Sequence, residues 1–282
     1  MKIAELGEFE HLRGLTRRRR EYDDYEDILI RYGIPSFSSY DSRFLRVINR
    51  ASAIRNNINK LKSLVVLSKN GVKTIPFWTN FNDIPRTSFP VFRRRLQHSR
   101  GNDIKILMDK TDRQVGDFYT QQITNWREYR CHIMFGQCVR LSSKQKKREE
   151  ELTEEEIFHP IIRSFHRGWK VLDHFKHYKK VENEMINLCI RAMRTMGLDF
   201  GAIDVIVDEN RVPHIMEVNT APHLNELGRQ MYVKEFRENL GLSNEEIDLS
   251  KIREWELFKE IPIKYRLPYS NKEERRLNEQ IE

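Results

Sequence analysis

Residues 200–222 read FGAIDVIVDENRVPHIMEVNTAP, two runs of alternating apolar residues on either side of the polar tip Glu209-Asn210-Arg211. The pattern predicts a hairpin of two half-buried strands with its tip near Asn210. Pairing Val207 with His214 puts Asp204 across from Glu217 on one face, with Asn219 two residues further along that face. Two facing carboxylates repel, so a fold that keeps them there needs a compensating cation, a shared proton or a wet surface. A divalent ion meets that need. Hard oxygen donors without thiolate or imidazole suit Mg²⁺ or Mn²⁺, which hold one or two carboxylates and complete their shell with waters and substrate phosphates. A nucleotide is thereby implied. Spacing alone leaves a plainer reading open, a half-exposed hairpin whose polar face happens to carry acids.

Upstream of the hairpin, Val181, Met185, Leu188, Cys189, Ala192, Met193 and Met196 recur at helical spacing and Gly197 follows, which predicts a core helix over 178–196 whose methionines fill gaps. A second helix is expected over 52–70, stopped by Asn70-Gly71. Strands are expected at 73–78 and 89–96, and 129–141 alternates around a turn at Phe135-Gly136-Gln137. Between 144 and 177 the pattern loosens into a charged stretch, KQKKREEE, and a segment without clear period. Residues 1–30, including four arginines at 17–20, read as a solvated face or entry segment to which no chemistry is assigned. Beyond Pro222 the chain is amphipathic and charged, Ser243 and Glu246 fit a capping box, and 271–282 is too polar to bury.

The chain has 282 residues, enough for one or two domains with a substantial core. Its 50 Lys and Arg against 42 Asp and Glu leave +8, which favours an anionic partner without choosing among nucleic acid, nucleotide and acidic substrate. The longest aliphatic run, Leu64 to Leu67, is far too short to cross a membrane, and no apolar stretch follows Met1, so a cytoplasmic protein with no membrane partner is expected. Cys131, Cys138 and Cys189 are too few and scattered for a disulfide framework or a four-ligand zinc site and read as buried thiols.

The stretch Leu198–Leu224 resembles the metal-binding end of the ATP-grasp superfamily, the carboxylate-amine or thiol ligases that include glutathione synthetase, D-alanine ligases and ribosomal-protein glutamate ligases. The similarity extends to ATP-grasp proteins of phage type through Glu128-Tyr129-Arg130-Cys131-His132 and Gly168-Trp169, and covers about residues 48–225. The resemblance implies an α+β chain with the ATP-grasp fold: two α/β lobes whose antiparallel sheets clasp ATP, plus a reduced N-terminal segment and C-terminal helices. It divides the chain into that segment at 1–50, a small lid subdomain at 51–120, a large subdomain with the metal-binding hairpin at 121–230 and a helical extension at 231–282.

The resemblance also implies roles. Asp204, Glu217 and Asn219 correspond to the ligands of two Mg²⁺ ions, or Mn²⁺, that bridge the phosphates of ATP. Lys60 matches the first phosphate-reaching lysine. Arg94 and the loop with His98, Ser99 and Gly101 match the second cation and the flexible loop over the triphosphate, departing from the family in having Arg94 before Arg95 where a lysine precedes proline, and a single glycine. Gln121, Gln122 and Ile123 fall where backbone groups meet the adenine. Glu128 matches the acid for the ribose hydroxyls, Arg130 a residue aimed at phosphate, and Lys144, with Lys146 and Lys147 as neighbours, a lysine near the transferred phosphate. His98, His166 and Trp169 are candidates for the acceptor side.

Such a set implies ADP-forming ligation: phosphoryl transfer from ATP to a carboxylate, then attack of an amine on the acyl phosphate. Phosphoryl transfer is mostly positioning and charge neutralisation, which needs cations and metal ligands rather than a nucleophile. Two alternatives remain at this level, an ATP-grasp kinase that stops after phosphoryl transfer and a basic nucleic-acid-binding protein using the arginines at 17–20 and 93–95. The carboxylate and the amine are not legible, and a peptide, protein or nucleic-acid-linked acceptor all remain open.

Overall fold

The computed structural model describes residues 3–6, 17–18, 28–96, 104–153, 156, 158–163, 167–173 and 180–243. In chain order the strands are β1 (Ile3–Leu6), β2 (Arg17–Arg18), β3 (Ile28–Arg31), β4 (Arg46–Ile48), β5 (Phe77–Trp78), β6 (Val91–Arg94), β7 (Lys105–Leu107), β8 (Phe118–Gln121), β9 (Asn125–Met134), β10 (Gln137–Lys146), β11 (Trp169–Asp173), β12 (Phe200–Asp208) and β13 (Pro213–Asn219). The helices are α1 (Ala51–Asn56), α2 (Lys60–Lys69), α3 (Lys180–Thr195) and α4 (Glu226–Asn239).

The centre is a five-stranded antiparallel sheet ordered β11-β10-β9-β12-β13. Its two faces follow from strand alternation. Cys131, Ile133, Ile203, Val205 and Val207 join Met185, Leu188, Cys189, Ala192 and Met193 of α3, and Met196 just after it, in the largest apolar core. The intervening residues, Glu128, Arg130, Asp204 and Ile206, face a cleft on the other side. All three cysteines are buried free thiols. The β9–β10 turn needs positive φ twice, and Phe135 and Gly136 adopt +48° and +79° as the expected Phe135-Gly136 turn requires.

A four-stranded antiparallel sheet, β5-β8-β6-β7, roofs the cleft. Val91 and Tyr119 pack outward with Phe81, Ile84 and Leu107, while Phe92, Arg94, Phe118 and Thr120 turn to the cleft.

Five expectations need correction. The helix over 52–70 is two helices, because the chain breaks at Asn57-Ile58-Asn59, where the Asn59 side chain caps the Lys62 N–H at 2.7 Å and the Asn57 amide donates to the Val218 carbonyl at 2.6 Å. Of the strand at 73–78, Phe77–Trp78 alone joins the roof; residues 73–75 pair instead with the open edge of β13 through the amides of Ile75 and Ile215. The loosened stretch after 144 contains β11, whose pattern is hidden because its exposed Val171 and Leu172 interrupt alternation. Residues 1–30 are not merely a charged entry segment: β2-β1-β3-β4 form a parallel sheet with Ala4, Leu29 and Ile30 fully buried. Finally, Val207 pairs with Pro213, one residue from the expected register, and a bulge at Met216 restores Asp204 opposite Glu217. The rest of the 17–20 run, Glu246 of the capping box and residues 271–282 lie outside the described residues. No helix among the described residues is long and apolar enough to cross a membrane.

Candidate active site

Two sheets built from different stretches of chain enclose a cleft of about 560 Å³. At one end its walls are apolar. Leu64, Ile75, Phe118, Ile206 and Met216 form a slot with Ile123, and the two sheets supply opposite sides. Met216 reaches it because of the bulge, which lets the consecutive residues Met216 and Glu217 both face the cleft.

Beyond the slot the lining is ionic, with five cations, Lys60, Arg94, Arg130, Lys144 and Arg163, against three acids, Glu128, Asp204 and Glu217. Asp204 stands opposite both Glu217 and Arg130. The Arg130 guanidinium grips the Asp204 carboxylate with two hydrogen bonds, at 2.7 and 2.9 Å. Burial raises the Asp204 pKa, but the charge and hydrogen bonds of Arg130 outweigh it and hold the carboxyl well below the usual carboxylate range. The same pair raises the Arg130 pKa. Glu217 pairs with Lys60 at 2.9 Å. The facing carboxylates are therefore each balanced by a protein cation.

Asn219 occupies the next position on this face of β13, and its side-chain oxygen accepts the Ala221 N–H at 2.9 Å. Arg94 donates from Nε to Thr120 Oγ1 at 2.9 Å and lies over the Phe92 ring; burial lowers its pKa, opposed by Glu217 and Glu128. Gln121, Gln122 and Ile123 line the apolar end. The Gln122 N–H is donated to the Pro90 carbonyl, so a base would meet the side chain or carbonyl instead, and its Oε1 is buried with no hydrogen-bond partner. Glu128, matched to a ribose acid, holds Lys144 at 3.1 Å and Arg163 at 3.5 Å.

Of the three clustered lysines, Lys144 faces the cleft, whereas Lys146 lies over Phe158 and Lys147 forms a buried pair with Glu156. Trp169 supports the cleft-lining loop from behind, stacking on Phe158 and donating from Nε1 to the His159 carbonyl. His98, Ser99, Gly101 and His166 lie outside the described residues.

Sequence reasoning missed the apolar slot and Arg163. Ile206 was accessible, since it alternates with Asp204; Met216 and Arg163 were not, because one depends on a bulge and the other on a loop without period.

Residues 166–240 match the family model described as a RimK-like ATP-grasp domain. No curated protein matches the chain. The structure is similar to D-alanine–D-alanine ligase from Bacillus anthracis, at 14% identity and a TM-score of 0.55, over 83% of this chain and 81% of that one. The chain has the ATP-grasp fold. A second ATP-grasp protein, the ligase PsnB complexed with a phosphomimetic variant of its minimal precursor, Mg and ADP, aligns at 13% identity and a TM-score of 0.55 over 91% of this chain and 97% of its own. Biotin carboxylase from Campylobacter jejuni aligns at 15% identity and a TM-score of 0.54, over 73% and 51%.

The donor chemistry fits a hard divalent ion within this ATP-grasp cleft. Among the described residues no group of three or more His, Cys, Asp or Glu could hold a metal. Two carboxylates and an amide are too few for a closed structural site, but they suit an ion that takes its remaining ligands from phosphate and water.

Proposed function

We propose that the chain is an ATP-dependent, ADP-forming ligase that joins a carboxylate to an amine. The observation that carries this is the facing pair Asp204 and Glu217, set between cations at the mouth of an apolar slot. The slot takes the adenine between the two sheets, with Gln122 and Ile123 at its edge. The triphosphate then runs along β12 and β13 toward Asn219. Mg²⁺, held by Asp204, Glu217 and Asn219, most simply as two ions, would neutralise phosphate charge there.

In this reading nucleotide binding is an exchange of ion-pair partners. Lys60 leaves Glu217 for a phosphate oxygen, and Lys144 leaves Glu128 Oε2, which opens that oxygen to the ribose hydroxyls while Arg163 stays on Oε1. Arg94 and Arg130 add charge where it spreads over the transferred phosphoryl group. The substrate carboxylate oxygen attacks the γ-phosphorus, the bond to ADP breaks, and the amine then displaces phosphate from the acyl phosphate. Because no side chain becomes a nucleophile, substitutions in the cleft should act through binding and charge.

The test is incubation with Mg·ATP and pooled cell metabolites, reading ADP, free phosphate and amide-condensed products by mass spectrometry. Glu217→Ala is expected to abolish ADP release while leaving the melting transition intact. Normal turnover in that variant would remove the metal assignment, and phosphate retained on the product would make the enzyme a kinase.

A further inference from the structure

Residues 28–59 carry five arginines and a single acid, Asp41. That acid is already engaged. The fully buried Arg31 pairs with it at 2.6 Å and donates to the carbonyls of Ile34, Ser36 and Phe37, while the second Asp41 oxygen accepts the Ala51 N–H at the start of α1. The loop after β3 is thereby held rigid, and what it presents is aromatic. Phe37 sits at φ +54°, a conformation that a bulky side chain rarely adopts, and the residue is 59% exposed. The ring lies nearly parallel to Tyr40, 12° apart at 5.4 Å, with the Arg43 guanidinium over Tyr40. Arg55 borders the same loop through the Pro35 carbonyl. Among the described residues neither Arg43 nor Arg55 makes an ion pair.

This shelf adjoins the end of β13 beyond Asn219. Gly33 packs against Ala221 so closely that a Cβ would lie 2.5 Å from the alanine methyl, and the Tyr32 hydroxyl donates to the Pro222 carbonyl. From the apolar slot the order along the site is therefore Ile206 and Met216, then Asp204 and Glu217, then Asn219, then the shelf.

We infer that the Phe37–Tyr40 shelf binds single-stranded nucleic acid, with an unpaired base stacked on the outer face of Phe37 and phosphates on Arg43 and Arg55. A flat exposed ring flanked by guanidiniums without acids is the arrangement that grips unstacked bases and their backbone. A duplex keeps its bases stacked and has none to offer the ring. An acidic peptide would answer the charge but not the ring. This goes beyond the ligase reading and does not depend on it.

The test is fluorescence anisotropy of the full chain with 5′-fluorescein-labelled dT12, from 50 to 200 mM salt, alongside a labelled dodecaglutamate. Phe37→Gly, which suits the positive φ and so should fold, is expected to weaken dT12 binding about fivefold or more, the lower end of what one stacked base supplies. Phe37→Tyr should bind as wild type. Arg43→Ala and Arg55→Ala should each reduce the salt slope by about 0.7. Mg·ATP affinity should stay unchanged in all four. No dT12 binding by wild type, or equal binding by Phe37→Gly and Arg43→Ala, overturns the inference. So does tighter dodecaglutamate binding that responds to the same variants, or a dimer by sedimentation that Phe37→Gly dissolves.

Discussion

Asp204 shows how one residue serves both stability and the candidate chemistry. Its largely buried carboxylate would be pushed up in pKa by desolvation, but the charge and the two hydrogen bonds of Arg130 outweigh that, so its folded pKa lies below the unfolded value. Such a group contributes its full stability above the ordinary carboxylate pKa of about 3.9 and loses that contribution as pH falls from there through the folded value. Asp204→Asn is expected to cost about 2 kcal/mol at pH 7, less than a fully buried pair would, because it leaves the partly buried Arg130 without its counter-charge. Below about pH 4 the variant and wild-type melting curves should converge; parallel curves across that range would show that the pair is not the acid-sensitive element. The acids and Arg130 were legible as residues. Their mutual neutralisation was not, since Arg130 and Lys60 come from distant stretches of chain.

At the level of elements, β13 carries the greatest consequence from one local irregularity. In a regular strand Met216 and Glu217 would point to opposite faces, but the bulge turns both into the cleft. One residue then walls the apolar slot while its neighbour faces Asp204. Met216→Ala removes three groups from that wall, the γ-methylene, the sulfur and the terminal methyl, up to ~0.8 kcal/mol each, and is expected to weaken Mg·ATP binding tenfold or more in titration calorimetry with little change in melting temperature. Unchanged affinity would take Met216 out of the slot. Alternation pointed to the opposition of Asp204 and Glu217 even though the tip register was off by one. A bulge leaves no mark in periodicity, so its position stayed hidden.

Across the whole molecule, Asn49 fastens the N-terminal parallel sheet to the central one. It is fully buried at φ +58°, its side-chain oxygen accepts the N–H groups of Asp199 and Phe200, its amide donates to the Phe200 carbonyl, and its own N–H reaches the Asp199 carboxylate. Asn49→Ala strands those backbone groups and places a β-carbon in the left-handed region, for an expected loss of about 3 kcal/mol; Asn49→Gly should recover about 1 of it. Thermal melts check both, and a loss under about 1 kcal/mol for the alanine variant would show that the junction is held elsewhere.

Short-range pattern was enough to reveal the core helix, the two long hairpins and the identity of the acids, because helix and strand periods and turn residues act over a few positions. It also carried the resemblance to the ATP-grasp superfamily. Distant contacts decided the rest: the parallel sheet of residues 3–48, whose short strands are separated by charged stretches; β11, which forms against β10; the break before Lys60, tied to Val218; and the pairing of every cleft carboxylate with a cation from another element. Each depends on which groups packing brings together and removes from water, and that is a property of the assembled chain that no window along it contains.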